Sequence, residues 1–339
     1  MKAVIMAGGK GTRFWPKSTP AKPKQFLTLT SEKETMLQQT YGRFRHFLAK
    51  EDIYFVVGVD YADMVKEQLP EVGSEQIILE PAQRDTAPCI ALAARYFLRR
   101  NEDEVIITAP SDQYVDNPAL FAKAMLAAEA VARQDAAVVT LGIVPTRAET
   151  GYGYIEVADA PDRVEGEGFA VKRVRSFIEK PDKDKAERLL LSQGVYWNSG
   201  IFVWKPSTIA HYMKMHRPEI WKIAECDDGE WDSLYRKLDR ISIDYAIMEK
   251  VDRMYMIPVR FIWDDVGVWT SLERIFDLSA EGNLLSGNIH YANVDNSIIM
   301  SDSKKTIVIG VKDLIVVSTS EGLLICKKSE EQRIKPFLE

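Results

Sequence analysis

The chain of 339 residues is long enough for one large α/β domain with an appendage, or for two domains. Its hydrophobic content of 46% is typical of a folded globular protein, and its net charge of -6 argues against general nucleic-acid binding. Three dispersed cysteines predict buried thiols in a reducing compartment, and four scattered histidines argue against a zinc site. No signal-peptide pattern or membrane-length apolar run is found, so we expect a cytoplasmic protein that binds neither nucleic acid nor membrane.

Strand and helix patterns alternate through the first half of the chain. Short β-branched runs predict strands at residues 2–6, 53–57, 76–79, 105–108 and 137–143. The first helical pattern begins at Ser31 with a capping box to Glu34, and its apolar face carries Leu37, Tyr41, Phe44 and Leu48. Two further helical patterns cover residues 86–100 and 118–133. This alternation predicts an α/β fold with a doubly wound, mostly parallel sheet, in which ligands bind beyond the carboxyl ends of the strands.

The pattern is less regular after residue 150. Runs at 151–157, 171–181 and 196–204 indicate strands of a smaller antiparallel region, followed by helices to residue 250 and a strand at 254–259. From about residue 287 only short strands separated by turn residues remain. We interpret residues 1–284 as the main domain and 285–339 as a small β appendage, which could be a truncated β-helix.

The stretch "AGGKGTRFWPKSTPAKPKQF" follows the first strand and combines a glycine-rich turn with cations of one sign, Lys10, Arg13, Lys17, Lys22 and Lys24. It fails the dinucleotide fingerprint because Phe14 stands where the third glycine belongs, and no Gly-Lys-Ser/Thr closes a P-loop. Unpaired cations beside a backbone-amide nest favour phosphate binding over a solvated basic loop.

Three aspartates follow predicted strands at the edge where a ligand would bind: Asp112 in "PSDQ", and Asp264 and Asp265 in "IWDDVG". Two carboxylates from separate strand ends near a triphosphate would hold Mg²⁺ through oxygen ligands. Alternatively, each aspartate caps the helix after it.

Other polar groups lie at predicted strand ends. Lys180 suits a phosphate monoester and Glu179 can accept from sugar hydroxyls, although a surface ion pair is the alternative. Asn198 lies among aromatic residues, as in carbohydrate pockets, or is a buried turn asparagine. Glu80 could accept from the N1–H and N2–H₂ donors of guanine, and Arg84 could reach phosphate or pair with Asp85.

Nine segments in this order resemble the mannose-1-phosphate guanylyltransferases of the sugar-nucleotidyltransferase superfamily. They are "GGKGTRFWP" with "PKQF", "EPAQRDTAP", "PSDQ", "GYGYIE", "FIEKP", "WNSGIF", "SIDYAIMEK" and "DDVGVW". The resemblance implies catalytic roles for Arg13 and Lys24, and Mg²⁺ ligation by Asp112 and Asp265. It implies nucleotide binding by Ala7, Gly8, Gly9, Gly11, Thr12, Glu80, Arg84, Asp85 and Thr86. It implies sugar-phosphate binding by Gly153, Glu179, Lys180 and Asn198.

The resemblance further implies transfer of GMP from GTP to mannose 1-phosphate with Mg²⁺ as cofactor, and we expect a homodimer. The family usually has Asn where Asp85 stands and His where Gln113 stands, so another base or sugar is an alternative. A catalytically silent regulatory relative is a second alternative, and a dinucleotide oxidoreductase is a third. The sequence ends before the isomerase domain of some longer relatives, so we expect a single activity.

Overall fold

The computed structural model describes residues 1–9, 11–134, 136–159, 163–165 and 168–338. Lys10, one of the cations of the opening stretch, lies outside them. The chain divides into two compact units. The first unit consists of Met1–Gly8, Tyr41–Ser111 and Val115–Trp263, and the second of Gly9–Thr40, Asp112–Tyr114 and Asp264–Glu339. A domain boundary after residue 284 stays a prediction.

The first unit contains one ten-stranded sheet, in the order β3-β2-β1-β4-β10-β6-β11-β9-β7 with β8 paired to β9. Its strands are β1 (Lys2–Met6), β2 (Ile53–Gly58), β3 (Ile77–Glu80), β4 (Ile106–Pro110), β6 (Val138–Ile143), β7 (Tyr154–Val157), β8 (Arg163–Glu165), β9 (Phe169–Ile178), β10 (Val195–Trp204) and β11 (Met254–Val259). Two-residue strands, β5 (Tyr114–Val115) and β12 (Trp263–Asp264), lie where the chain passes between the units.

Strands β1 to β4 pair in parallel, as the alternation predicts. β10 lies antiparallel between β4 and β6, and β11 pairs in parallel with β6. The strands predicted after residue 150 do pair antiparallel with one another, but β7, β9 and β10 complete the same sheet and do not form a smaller one. Their polar residues are therefore carried by the same scaffold as the loop after β3, which makes their mutual geometry rigid.

Eight helices of the described residues belong to the first unit. They are α2 (Ala62–Gln68), α3 (Thr86–Leu98), α4 (Pro118–Gln134), α5 (Lys183–Leu190), α6 (Pro206–His216), α7 (Pro218–Glu225), α8 (Asp228–Tyr235) and α9 (Ile243–Ala246). The alanine-rich helix α3 is buried along most of its length and packs against α6 and α7. Its small side chains allow this close packing, and its first turn follows directly from the loop after β3.

The first helix starts later than the sequence predicts. Ser31 Oγ does accept from the backbone N–H of Glu34 at 3.2 Å, but helix α1 spans Met36–Arg45. The capping box is formed instead by Thr35 and Gln38, each of which accepts from the backbone N–H of the other. Two S/T-x-x-E/Q signals follow one another here, and only the second includes the buried residues Met36 and Leu37. Leu48, placed on the apolar face from the sequence, lies beyond the helix end.

The second unit holds the C-terminal strands β13 (Leu284–Ser286), β14 (Ile289–Asp295), β15 (Ile298–Ser301), β16 (Thr306–Lys312), β17 (Leu314–Thr319) and β18 (Gly322–Lys327). One sheet has the order β13-β15-β17-β18, and β14 pairs in parallel with β16. Their apolar core also takes residues from the opening loop, including Phe14, and from the segment after β12, including Trp269. The rings of Phe14 and Trp269 meet edge to face at 5.0 Å. The loop and that segment are thus fixed by the core of the unit.

The sequence also predicted buried cysteine thiols and no membrane-spanning segment. Cys89 is buried, whereas Cys226 and Cys326 are only half-buried, so the expectation of three buried thiols holds for Cys89 alone. Within the described ranges, none of the helices has the length and apolar character that a bilayer crossing requires.

Candidate active site

The glycine-rich turn starts with Ala7, whose backbone N–H donates to the Val56 carbonyl at 2.8 Å. Gly9 and Gly11 have positive φ angles of 100° and 56°. A Cβ on Gly11 would lie 2.3 Å from the Cβ of Lys24, so only glycine allows the two backbone segments to approach this closely. Thr12 begins a short 3₁₀ turn directly after it. The glycine pattern thus fixes the position of Lys24.

Lys24 is not the exposed, unpaired cation that the sequence predicts. Its side chain is buried, and its ammonium donates to Asp112 Oδ2 at 3.0 Å. The same ammonium donates to the backbone carbonyls of Asp112 at 3.0 Å and Asp265 at 2.7 Å. Lys24 therefore joins the two loops that carry the predicted metal ligands.

Arg13 keeps the character predicted from the sequence. It is exposed, and no hydrogen bond or ion pair to its guanidinium is found within the described part of the chain. The next residue, Phe14, is buried in the core of the second unit, so the backbone at Arg13 is anchored while its charge faces solvent. A role for Arg13 with phosphate stays a prediction.

Asp112 and Asp265 meet at the Lys24 ammonium, and the oxygens that converge there are of the kind that Mg²⁺ prefers. The Asp265 carboxylate accepts from the Gly267 backbone N–H at 3.2 Å. Val266 between them has a φ of 50°, which is strained for a β-branched residue and frequent at functional sites. No cluster of three or more metal-ligating side chains occurs among the described residues, and Mg²⁺ ligation by Asp112 and Asp265 stays a prediction.

Asp264 faces the core of the second unit. Its carboxylate is buried and accepts from Arg274 Nε at 2.6 Å and from the Val266 backbone N–H at 2.8 Å. The two aspartates of "DDVG" therefore divide their roles: Asp264 anchors the turn, and Asp265 presents its backbone carbonyl to Lys24. Neither is an N-cap, as the alternative supposed, because the next helical turn is Trp269–Arg274 and Val268 is its N-cap.

The loop after β3 holds the residues predicted to bind the nucleotide. Glu80 is buried, and its carboxylate accepts from the Tyr235 hydroxyl at 2.7 Å. Burial raises the pKa of Glu80, and hydrogen bonds from Tyr235 and the Arg84 backbone oppose the rise. Arg84 donates to the Arg236 carbonyl, so the predicted alternative of an Arg84–Asp85 ion pair does not form in this structure.

Asp85 caps helix α3, where its carboxylate accepts from the Thr86 backbone N–H at 2.7 Å. Its φ of 70° lies outside the region that side chains prefer. Thr86 Oγ1 accepts from the Ile243 backbone N–H at 2.8 Å, and the Ala87 backbone N–H donates to the Ile241 carbonyl at 3.1 Å. The loop is thereby joined to the segment that precedes α9.

The four residues predicted to bind the sugar phosphate lie together in the first unit. A Cβ on Gly153 would lie 2.6 Å from Glu179 Oε2 and 3.4 Å from the Cβ of Asn198. The Lys180 ammonium lies 2.8 Å from Glu179 Oε1 and is half-exposed, with a positive φ of 43°. Asn198 is buried in β10, and its backbone N–H donates to the Gly153 carbonyl at 2.8 Å. The absence of a side chain on Gly153 thus allows Glu179 and Asn198 to pack closely against its backbone.

Asp244 is the residue of this group that the sequence reasoning missed. Its Oδ1 accepts from Asn198 Nδ2 at 3.2 Å, and Asn198 Oδ1 accepts from Thr140 Oγ1 at 3.1 Å. Burial and the charge of Glu179 raise the pKa of Asp244 to about 7, against the opposing charge of Lys180. The segment "SIDYAIMEK" was the available signal, because it marks the narrow family and contains this aspartate.

The charges of this group are interdependent. Burial raises the pKa of Glu179, and the hydrogen bond from Lys180 opposes that rise. Burial also lowers the pKa of Lys180, but its hydrogen bond to Glu179 and the negative charges around it raise the pKa overall. Two carboxylates thus share one half-exposed ammonium, an arrangement suited to a ligand that brings both hydroxyls and a phosphate.

Comparisons with known proteins identify the family of this chain. The family model described as nucleotidyl transferase matches residues 2–281, and that described as MannoseP isomerase/GMP-like beta-helix domain matches 291–339. Mannose-1-phosphate guanylyltransferase 2 of Escherichia coli O157:H7 is 36% identical over 99% of this chain and 72% of its own length. Mannose-1-phosphate guanylyltransferase of Klebsiella pneumoniae is 34% identical over 99% of this chain and 73% of its own.

A solved structure extends the likeness to the whole fold. A crystal structure described as mannose-1-phosphate geranyltransferase from Thermus thermophilus superposes with a TM-score of 0.87 at 28% identity. It covers 99% of this chain and 98% of its own. The strand order, the glycine turn and the matching family model lead to one assignment: the chain belongs to the nucleotidyl transferase family.

Proposed function

We propose that the protein transfers GMP from GTP to mannose 1-phosphate, which yields GDP-mannose and pyrophosphate. The observation that carries the proposal is the meeting of Lys24, Asp112 and Asp265 beside the glycine turn. An ammonium and two aspartates at one point suit a triphosphate with its divalent ion. Relatives named mannose-1-phosphate guanylyltransferase at 34–36% identity support the choice of base and sugar.

The reaction needs alignment and charge neutralisation. An oxygen of mannose 1-phosphate attacks the α-phosphorus of GTP in line, a new P–O bond forms, and the bond to the β-phosphate breaks with release of pyrophosphate. The attacking oxygen is already anionic, so no side chain has to remove a proton. Arg13 and Lys24 would bind the triphosphate oxygens and stabilise the charge that develops on them.

Asp112 and Asp265 would hold Mg²⁺, which when bound neutralises phosphate charge. The chain's own residues prepare this site, because Lys24 keeps both loops in place while the Asp264–Arg274 contact anchors the turn. When phosphates arrive, the Lys24 ammonium can exchange its bond to Asp112 for a bond to a phosphate oxygen, since its remaining bonds are to carbonyls.

Lys180 would bind the phosphate of the sugar, because its ammonium is the half-exposed cation of its group. Glu179 and Asn198, which pack together against Gly153, would bind sugar hydroxyls. Glu80 faces Tyr235, so its contribution to the base would be to hold the loop from Glu80 to Thr86 in shape. Direct base contact by Glu80 remains the prediction of the sequence.

Pyrophosphate release tests the proposal when it is measured with each of the four NTPs and a set of sugar 1-phosphates. We expect the highest kcat/KM with GTP and mannose 1-phosphate, loss of activity with EDTA and recovery with Mg²⁺. Preference for another base or sugar would select the related transferase. Nucleotide-sugar binding without turnover would select the silent relative.

Asp85→Asn supplies a matched variant for base choice. Asparagine can still accept from the Thr86 backbone N–H, so the helix cap is kept while one negative charge is removed. A lower KM for GTP in this variant would show that the charge of Asp85 opposes nucleotide binding.

We also propose that the protein is a homodimer and that it works in the cytoplasm. Sedimentation of the purified chain would test the homodimer.

A further inference from the structure

A second charged recess lies in the first unit, where helices α3, α6 and α7 meet. It has a volume of about 600 Å³, within the range of small-molecule sites. The charged and aromatic residues that line it are Arg95, Arg99, His211, Lys214, Trp221 and Glu225. None of them belongs to the candidate active site, and Arg95 lies nine residues along α3 from Thr86, about 14 Å at the helical rise.

The charge of this recess is predominantly positive. Arg95 lies on α3 and Arg99, four residues later, caps the end of that helix, while His211 and Lys214 are three apart on α6, so each pair lies on one side of its helix. Like charges at this spacing destabilise a helix slightly, and three permanent cations face one carboxylate. On a chain with a net charge of -6, such a concentration favours an anionic ligand.

The side chains of the recess are held in place by neighbouring groups. Arg95 donates to the Cys226 carbonyl at 3.3 Å, and its guanidinium lies 4.7 Å from the centre of the Trp231 ring. Glu225 accepts from Trp221 Nε1 at 2.8 Å and pairs with Lys214 at 2.8 Å. The Glu225 carboxylate is therefore already bound by Trp221 and Lys214. Cations that are held in place before binding lose less conformational entropy when a ligand binds.

We propose that this recess binds a small phosphate-bearing anion at a site separate from the nucleotide and sugar-phosphate residues. Arginine forks suit the tetrahedral oxygens of a phosphate group, and Lys214 adds a point charge that can exchange Glu225 for phosphate. The ligand would contact the end of α3 opposite to Asp85, the helix cap at the nucleotide loop. Phosphate binding there would make α3 the element that both sites touch.

The test titrates inorganic pyrophosphate into the full chain by calorimetry, in buffer with EDTA. We expect two classes of site. Arg95→Gln combined with Lys214→Gln should weaken one class roughly ten-fold or more, because two charge-assisted contacts are lost. Arg13→Gln should weaken the other class and leave this one, which separates a failure of the proposed function from a failure of this site.

Two further variants keep the test decisive. Lys214→Gln alone changes an exposed side chain and should still weaken the class of the recess, even if loss of the Arg95–Trp231 contact impairs folding. Lys222→Gln removes an exposed lysine of α7 that does not line the recess, and should leave both classes unchanged. A wild-type isotherm with the single class that Arg13→Gln removes, or an unchanged isotherm in the Arg95/Lys214 variants, would overturn the proposal.

Discussion

Replacement of Asp244 by asparagine should stabilise the protein, and increasingly so as the pH rises. Asp244 is partly buried beside Glu179, and its pKa is raised from 3.8 to about 7. Folding therefore works against its ionisation wherever the unfolded chain would already carry the charge. Asparagine keeps the oxygen that accepts from Asn198 Nδ2, so the hydrogen bond can persist while the charge is removed.

The size of the effect follows from the pKa. The native carboxyl is neutral below about pH 4, and so is the unfolded one, so the cost of ionisation is absent there. As the pH rises from about 4 to about 7, the unfolded state loses its proton first and the wild type loses stability. At about 1.4 kcal/mol for each unit of pKa, the full rise in the pKa of Asp244 corresponds to a loss of about 4 kcal/mol in the free energy of unfolding at most. We expect roughly 2–4 kcal/mol, because the side chain keeps some exposure.

Urea denaturation of the wild type and of Asp244→Asn between about pH 4 and pH 8 measures this difference. The free energy of unfolding of the variant minus that of the wild type should start near zero and increase with pH. Asp184→Asn, at an exposed position of α5, is the control for removal of one negative charge. A difference for Asp244→Asn that stays flat across the range would refute the reasoning, because ionisation would then cost the same in both states.

Three more substitutions probe the phosphate and metal residues. Lys24→Met should lower the free energy of unfolding by roughly 1–3 kcal/mol, which is less than for a fully buried pair because Asp112 is 36% exposed. The same variant should have a lower kcat, and unchanged turnover would contradict the role of Lys24. Gly11→Ala should lower the free energy of unfolding by about 2–4 kcal/mol, because the new Cβ would lie 2.3 Å from that of Lys24 and the φ of this residue is 56°. Wild-type stability in urea denaturation would show that the turn adjusts. Lys180→Ala should mainly raise KM for the sugar phosphate in steady-state kinetics, since its charge acts in ground and transition states alike; a fall in kcat alone would disagree.

The short-range signals of the sequence predicted much of the fold. β1 is found at the predicted residues, and α3 and α4 differ from prediction only near their ends. Periodicity and caps are local properties, which explains this agreement. The start of α1 shows the limit, because Ser31–Glu34 and Thr35–Gln38 both satisfy the capping pattern. Only burial of the residues after Thr35 decides between them.

The candidate site divides in the same way. The sequence showed the glycines and the polar residue types, and the resemblance assigned roles to them. Only the folded structure showed which residues each of these side chains contacts. Lys24 was predicted to be an unpaired cation because its stretch of chain contains no carboxylate, yet its ammonium is bound by residues 88 and 241 positions away. Asp244 lies in the segment "SIDYAIMEK", but nothing local indicated its partner, because its contact with Asn198 crosses 46 residues.

The sequence by itself thus determined the order of strands and helices, the family and the set of polar residues, because periodicity and short motifs are written within a few consecutive positions. The tertiary structure alone decided that Glu80 accepts a hydrogen bond from Tyr235 and that Lys24 bridges two aspartates. It also decided that burial and the charge of Glu179 raise the pKa of Asp244. Hydrogen bonding and pKa depend on distance and on burial, and both are set only when remote segments of the chain pack together.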